Sequence, residues 1–163
     1  MSQWASSART RHGEPALVFR SGPYRFIISS AEIAEVRDLP ATASGNLPQS
    51  VVARGSAGML PVVPVGSIFG VPSAAPQQLL VLQHRGVAVA IDRIEGVTEL
   101  REIVALPRAF HGAERRWYRG LALLDGKILP VVNAAAFAEF TALPPARSAA
   151  ASVELAAEAK AGA

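Results

Sequence analysis

The residues that could do chemistry in this chain are few and far apart. Its three histidines are His12, His84 and His111, far apart, and none lies in a multi-ligand metal motif. There is no cysteine, which excludes disulfides, thiolate nucleophiles and thiolate metal sites. No glycine-rich phosphate cradle and no Gly-x-Ser-x-Gly elbow appears. Asp92 and Glu95 lie near one strand end and form the one candidate carboxylate pair. Asp92 reads better as a residue that caps the turn after a buried strand, because an Asp carboxylate readily accepts nearby backbone N–H groups. Arg115-Arg116-Trp117-Tyr118-Arg119 interleaves cations with aromatics, a composition that can stack on and neutralise single-stranded nucleic acid. Its simpler reading is an apolar anchor at a strand start, flanked by solvated arginines. No metal, no cofactor and no catalytic residue is expected.

Composition agrees. Half of the 163 residues are hydrophobic and mean hydropathy is +0.27, so a real core is expected. Formal net charge is +3, scattered along the chain. Phosphate binding draws on a contiguous basic stripe, so no nucleic acid is expected. Met1–Gly13 is polar and basic with no apolar stretch, which predicts no signal peptide. No run approaches the ~18 apolar residues of a membrane span. A soluble cytoplasmic protein without membrane insertion is expected.

The elements that must hold any site come from a phrase the chain says twice. Arg54-Gly55 … Gly58-Met59-Leu60-Pro61-Val62-Val63 returns as Arg119-Gly120 … Gly126-Lys127-Ile128-Leu129-Pro130-Val131-Val132. The two prolines are 130 − 61 = 69 residues apart, room for a small barrel in each copy. Gly55, Pro61, Gly120, Gly126 and Pro130 mark this duplicated frame. Short strands punctuated by turns argue for barrels over a parallel sheet. Ala16–Phe19 and Tyr24–Ser29 form a hairpin around Gly22-Pro23. Val51–Ala53 and Met59–Val65 are strands, and Val65–Phe69 a helical turn ended by Gly70. Leu79–Gln83 and Val87–Ile91 form a second hairpin. Leu121–Leu124 and Lys127–Val132 form a third around Asp125-Gly126, the dipeptide favoured where both turn residues need positive φ. Asn133–Phe140 is a short helix. The expected organisation is a flexible lead over 1–15 and a domain over 16–143. Within it, lobe one spans about 16–70 and lobe two about 79–140, joined by a linker at 71–78. An alanine- and proline-rich tail follows over 144–163, where Ser152 could cap a last helix carrying Glu154 and Lys160. A partner would sit most naturally in the seam between the lobes.

Taken together, these segments resemble the CheW-like domain family over roughly residues 16–140. Ile33-Ala34-Glu35-Val36 resembles the family's Val-x-Glu-Val segment. Leu60-Pro61-Val62-Val63-Pro64-Val65, with Phe69-Gly70 after it, resembles its Leu-Pro-Val-Val-Asp-Leu strand and Phe-Gly. Leu80-Val81-Leu82 and Val89-Ala90-Ile91-Asp92-Arg93-Ile94 resemble the hairpin ending in Val-Asp-x-Val, and Pro107 sits at the family's proline loop. The Tyr118–Val132 block resembles its closing hairpin. The resemblance implies a mainly β fold: two intertwined five-stranded OB/SH3-like β-barrels with short helices and a groove between them. It implies no catalysis. It implies instead an adaptor of bacterial chemotaxis arrays that joins chemoreceptor cytoplasmic tips to the regulatory domain of a CheA-type histidine kinase. The partner-binding positions it indicates are Ile33, Glu35, Val36, Arg54 and Gly55. Val62 and Val65 stand behind them and read first as core.

The chain departs from the family where lobe one's hairpin should be. From the Gly to the Pro, lobe two spans 130 − 120 = 10 residues and lobe one 61 − 55 = 6. Either Arg54-Gly55 is the hairpin turn with extra residues after it, or it aligns with Arg119-Gly120 and a strand segment is lost. The internal repeat favours the second. The family's Asp is replaced by Pro64 in lobe one and Asn133 in lobe two. These departures keep open a CheW-like scaffold outside chemotaxis, or one that works without receptor. A basic OB-type nucleic-acid binder using Arg115–Arg119 is the more distant alternative.

Overall fold

The computed structural model describes residues 13–40, 47–55, 57–70 and 76–142. Much of the expected lead, part of the 71–78 linker, the whole 144–163 tail and His12 lie outside the described residues. Ten strands form two five-stranded sheets. They are β1 (Glu14–Ser21), β2 (Tyr24–Ser29), β3 (Ile33–Asp38), β4 (Ser50–Val52), β5 (Met59–Pro64), β6 (Gln78–Leu82), β7 (Ala88–Ile91), β8 (Arg93–Leu100), β9 (Tyr118–Leu124) and β10 (Lys127–Val132). A helix α1 (Val65–Phe69) follows β5 and a helix α2 (Ala134–Ala142) follows β10. The strand orders are β8-β1-β2-β10-β9 and β3-β6-β7-β5-β4.

These two orders are one order written twice. Adding five to each strand number of the first, with β6–β10 returning to β1–β5, yields the second. Each barrel therefore takes its central hairpin from one half of the chain and its other three strands from the other half. The sheets do not coincide with the sequence lobes at 16–70 and 79–140. Barrel one combines β1–β2 with β8–β10, and barrel two combines β6–β7 with β3–β5. The exchange makes neither lobe complete without the other.

The exchange places the main core in the seam. Phe19, Phe26 and Ile28 from barrel one meet Val63, Leu80, Leu82, Val89 and Ile91 from barrel two, with Val65, Trp117 and Phe137 from the connecting elements. Phe69 of α1 stacks on Phe26 at 4.8 Å and on Tyr118 at 5.6 Å, tying the two barrels together. An apolar groove between lobes was expected, but the seam is filled. What stays open beside it is a depression of about 360 Å³ with a mixed lining that includes Asp38, Leu39, Gln77, Gln78, Arg93 and Ile94.

Alternation along the strands supplies a second core on the opposite face of each central hairpin. In barrel one it comprises Ala16, Val18, Ile27, Leu100, Ala122, Leu129 and Val131. In barrel two it is smaller: Ala53, Val81 and Ala88, with half-buried Val51, Leu60 and Val62. Val65 is fully buried and Val62 half-buried, so both positions are core.

Turn chemistry follows the sequence. Asp125 and Gly126 have φ of 49° and 73°, and the loop they make is two residues long. Gly70 ends α1 in the left-handed region at φ 63°. Asn133 Oδ1 accepts from the Ala135 N–H at 3.3 Å and its Nδ2 donates to the Arg116 carbonyl at 3.0 Å, so this residue starts α2 and anchors it.

The register of Arg54-Gly55 is corrected. Pro61 stands opposite Ser50 and Pro130 opposite Leu121, so Ser50 and Leu121 are equivalent. Arg54-Gly55 lies beyond β4, in the loop to β5, with Gly55 at φ 73°. It corresponds to the Asp125-Gly126 turn, not to Arg119-Gly120. Gly120 is inside β9, where a Cβ would come within 2.4 Å of the Val104 carbonyl oxygen. The two Arg-Gly pairs share a sequence and nothing else. One needs glycine for a turn, the other for a close strand crossing.

Candidate functional site

Superposing the duplicated registers pairs the surface residues of the two barrels. Ile27 stands beside Val131 and Ala88 beside Val62, which makes Ile27 and Ala88 equivalent. Counting outward, Leu17 matches Leu80, and their edge-strand partners are Val97 and Val36. On the hairpins, Leu123 pairs with Ile128 just as Val52 pairs with Met59. These six residues are among the large hydrophobics most exposed to solvent: Val97 73 %, Leu123 73 % and Ile128 69 % on barrel one, Val36 43 %, Val52 52 % and Met59 62 % on barrel two. Each barrel thus presents the same exposed apolar trio at equivalent positions, one residue on one edge strand and two on the hairpin that carries the other edge. Scattered exposed hydrophobics are ordinary, whereas grouped ones mark interaction surfaces.

The predicted positions Glu35, Val36, Arg54 and Gly55 come together at barrel two's trio. Ile33 sits apart, half-buried against the seam core. Arg37, which the sequence reading did not single out, organises the group. Its Nη2 and Nε donate to Glu35 Oε1 at 2.8 and 3.2 Å, and Nη2 also donates to the Val52 carbonyl at 3.0 Å. Glu35 Oε2 accepts from the Arg54 N–H at 3.1 Å. β3 and β4 are the two edges of the second sheet, so this pair of side chains closes the barrel. The Arg37 guanidinium, and after it the Arg54 N–H, hold the Glu35 carboxyl below its usual value of 4.5. Only the alternation of Glu35 and Arg37 on one strand face hinted at this pairing.

Barrel one closes differently. Val104 and Leu121 exchange both backbone hydrogen bonds at 2.8 Å. Arg119 of β9 grips Glu14 of β1 through two bonds of 3.1 and 3.3 Å, and this lowers the Glu14 pKa. At its far end, Glu95 receives the Nε groups of Arg20 at 2.8 Å and Arg25 at 2.5 Å, the first of which chiefly lowers its pKa.

Asp92 and Glu95 are therefore not a catalytic pair. Asp92 Oδ2 accepts from the Gly22 N–H at 2.7 Å, and the Asp92 N–H donates to the Arg20 carbonyl at 3.0 Å. Asp92 was expected to cap its own turn. It pins the β1–β2 turn instead, because the exchanged hairpins bring that turn to the end of β7. The aromatics of Arg115–Arg119 are also spoken for: Trp117 is buried against Phe137, with the Arg116 guanidinium over its ring at 5.2 Å. Tyr118 is half-buried and stacks on Phe69. Among the described residues no cluster of His, Asp or Glu has the arrangement of a metal site, and no helix is long and apolar enough to cross a membrane.

The family model for the CheW-like domain matches residues 15–142. The chain belongs to the CheW-like domain family. It is similar in structure to the scaffolding protein TtCheW from Thermoanaerobacter tengcongensis, with a TM-score of 0.57 over 74 % of this chain and 84 % of that one, at 17 % sequence identity. At that identity the likeness carries the fold, a pair of SH3-like barrels. No curated relative matches the sequence. Chemotaxis scaffolds of the CheW type are non-catalytic.

Proposed function

We propose that this protein is a non-catalytic cytoplasmic adaptor that couples chemoreceptors to a CheA-type histidine kinase. The observation that carries this reading is the duplicated apolar trio. A bridging protein needs at least two faces, and the exchanged barrels supply two equivalent ones on separate walls. The kinase regulatory domain, itself of the CheW type, is the natural partner for a barrel face, since like folds present like edges. The receptor tip is a helical hairpin and would meet the wall at Glu35, Val36 and Arg54.

A second reading, a CheW-like scaffold that works without receptor, is favoured by one feature. Both Glu35 oxygens are already committed to Arg37 and to the Arg54 N–H. A receptor using Glu35 has only the remaining lone pair of Oε2 to bond unless it displaces those bonds.

Calorimetric titration of the whole protein with the regulatory domain of its organism's CheA-type kinase, with and without a receptor tip, tests both readings. Binding to each, weakened by about 1–2 kcal/mol in Leu123→Ala or Met59→Ala, supports the adaptor. Kinase binding that the receptor tip neither joins nor enhances supports the second reading. Binding to neither overturns both.

A further inference from the structure

Barrel one carries a free strand edge above a cleft, and barrel two has sealed the same place. Leu121 gives both its backbone groups to Val104. Leu123, two residues on, points its N–H and C=O to the same side. It stands opposite Ile128, next to the pair that closes the two-residue turn, so these groups face away from β10. No backbone group outside the hairpin meets them among the described residues. The equivalent carbonyl in barrel two, that of Val52, accepts from Arg37.

The register places Thr98 where barrel two has Arg37. Beside this short residue a cleft of about 240 Å³ opens between β8 and β9, floored by Ile27, Leu100 and Ala122. An apolar cavity of ~150 Å³ suffices for a benzene ring. The rim carries Glu99 and Glu102. Arg101 pairs with Glu99 at 3.5 Å, and Glu102 makes no ion pair among the described residues, so the rim is net acidic.

We propose that barrel one's edge takes an extended segment of a partner protein, which adds to β9 at Leu123 as a further strand. One of its residues, large and apolar, enters the cleft, and a basic neighbour meets the acidic rim. Strand addition of this kind draws affinity from main-chain bonds and selectivity from the pocket beneath. The proposal rests on the docking-face reading above and names the chemistry of one face. It makes the two faces unequal: barrel one selects a side chain, and barrel two offers a closed wall.

The test is an NMR titration of the whole ¹⁵N-labelled protein with the blocked tripeptide acetyl-Lys-Phe-Lys-amide. Shifts are expected at the Leu123, Ala122 and Ile27 amides, and not at Val52 or Ala88. The analogue N-methylated at both lysines, which loses main-chain donors, should bind roughly fivefold more weakly, the worth of one hydrogen bond. Thr98→Arg, which installs barrel two's residue, should abolish the shifts. Thr98→Gln, a smaller obstruction at the same lining position, serves the same purpose if Thr98→Arg fails to fold. Absence of shifts at Leu123, equal binding of the N-methylated analogue, or undiminished shifts in the folded variant would each overturn the proposal. Peptide binding without kinase binding keeps this site and removes the adaptor reading; kinase binding without peptide binding does the reverse.

Discussion

The two barrels share strand order, hairpin register and exposed trio, yet differ in how they are held shut. Barrel one fills its interior with Val18, Ile27, Leu129 and Val131 and closes by a backbone bridge. Barrel two has Ala88 where barrel one has Ile27, a last strand of only three residues, and a closure made of side chains. Duplication preserved the ladder, because a one-residue slip would turn every core residue outward. It did not preserve the closure, because Gly96 and Thr98 cannot do what Glu35 and Arg37 do. One barrel has the larger interior and a backbone bridge, the other a smaller interior closed by side chains.

The interiors are the place where this contrast should be largest. Ile27→Ala leaves a cavity in a full core and should cost about 2–5 kcal/mol of unfolding free energy. Ala88→Ile puts the larger residue at the equivalent place in barrel two, where it overpacks a fully buried site and should cost about 1–3 kcal/mol. Urea unfolding of both variants checks this. A stabilised Ala88→Ile would mean that barrel two is hollow rather than narrow, and the contrast in filling would need another cause.

The two Arg-Gly glycines sharpen the comparison at the next level. Gly120→Ala drives a Cβ against the Val104 backbone at barrel one's closure. It should cost about 1–3 kcal/mol through overpacking. Gly55→Ala meets nothing within 4 Å and is strained only by its positive φ, a cost of about 1 kcal/mol. Thermal melts of the pair should rank them in that order. The reverse ranking would place barrel one's closure elsewhere than at the Val104–Leu121 bridge.

Much of the fold was legible in the sequence because it rests on local signals. Asp125-Gly126, Gly22-Pro23, Gly70 and the alternating apolar runs each dictate structure within a few residues. That the barrels intertwine follows from the family resemblance, but which hairpin joins which sheet is not legible in the residues, since Phe26 and Leu80 are equally apolar whichever sheet they join. The Arg54-Gly55 register was misjudged for a related reason. A shared dipeptide says nothing about φ, and Gly55 and Gly120 use glycine for opposite ends. Of the proposed site, Glu35, Val36 and Arg54 are indicated by family resemblance, and the structure bonds Glu35 to the Arg54 N–H. Arg37, Leu123 and Val97 were missed, because a surface apolar or a strand arginine acquires meaning only from its neighbour across the barrel.

The smallest expected effect bears most directly on closure. The Glu35 carboxyl is held below its usual value of 4.5 by Arg37 and the Arg54 N–H. Its folded pKa is lowered, so its contribution is complete above the unfolded value and is lost as pH falls through the folded one. As pH falls below 4.5, the Arg54 amide should lose hydrogen-exchange protection, once corrected for intrinsic rates. Glu14 is also lowered, by Arg119, so barrel one sheds an ion pair in the same range. The Leu121 and Val104 amides are bonded backbone to backbone and carry no such dependence. They should stay protected until the whole molecule unfolds. Glu35→Gln should give Arg54 the low-pH behaviour at neutral pH and leave Leu121 unchanged. If Arg54 and Leu121 lose protection together, the two barrels open as one unit. The difference in how they close would then be a difference of wiring without a difference of stability.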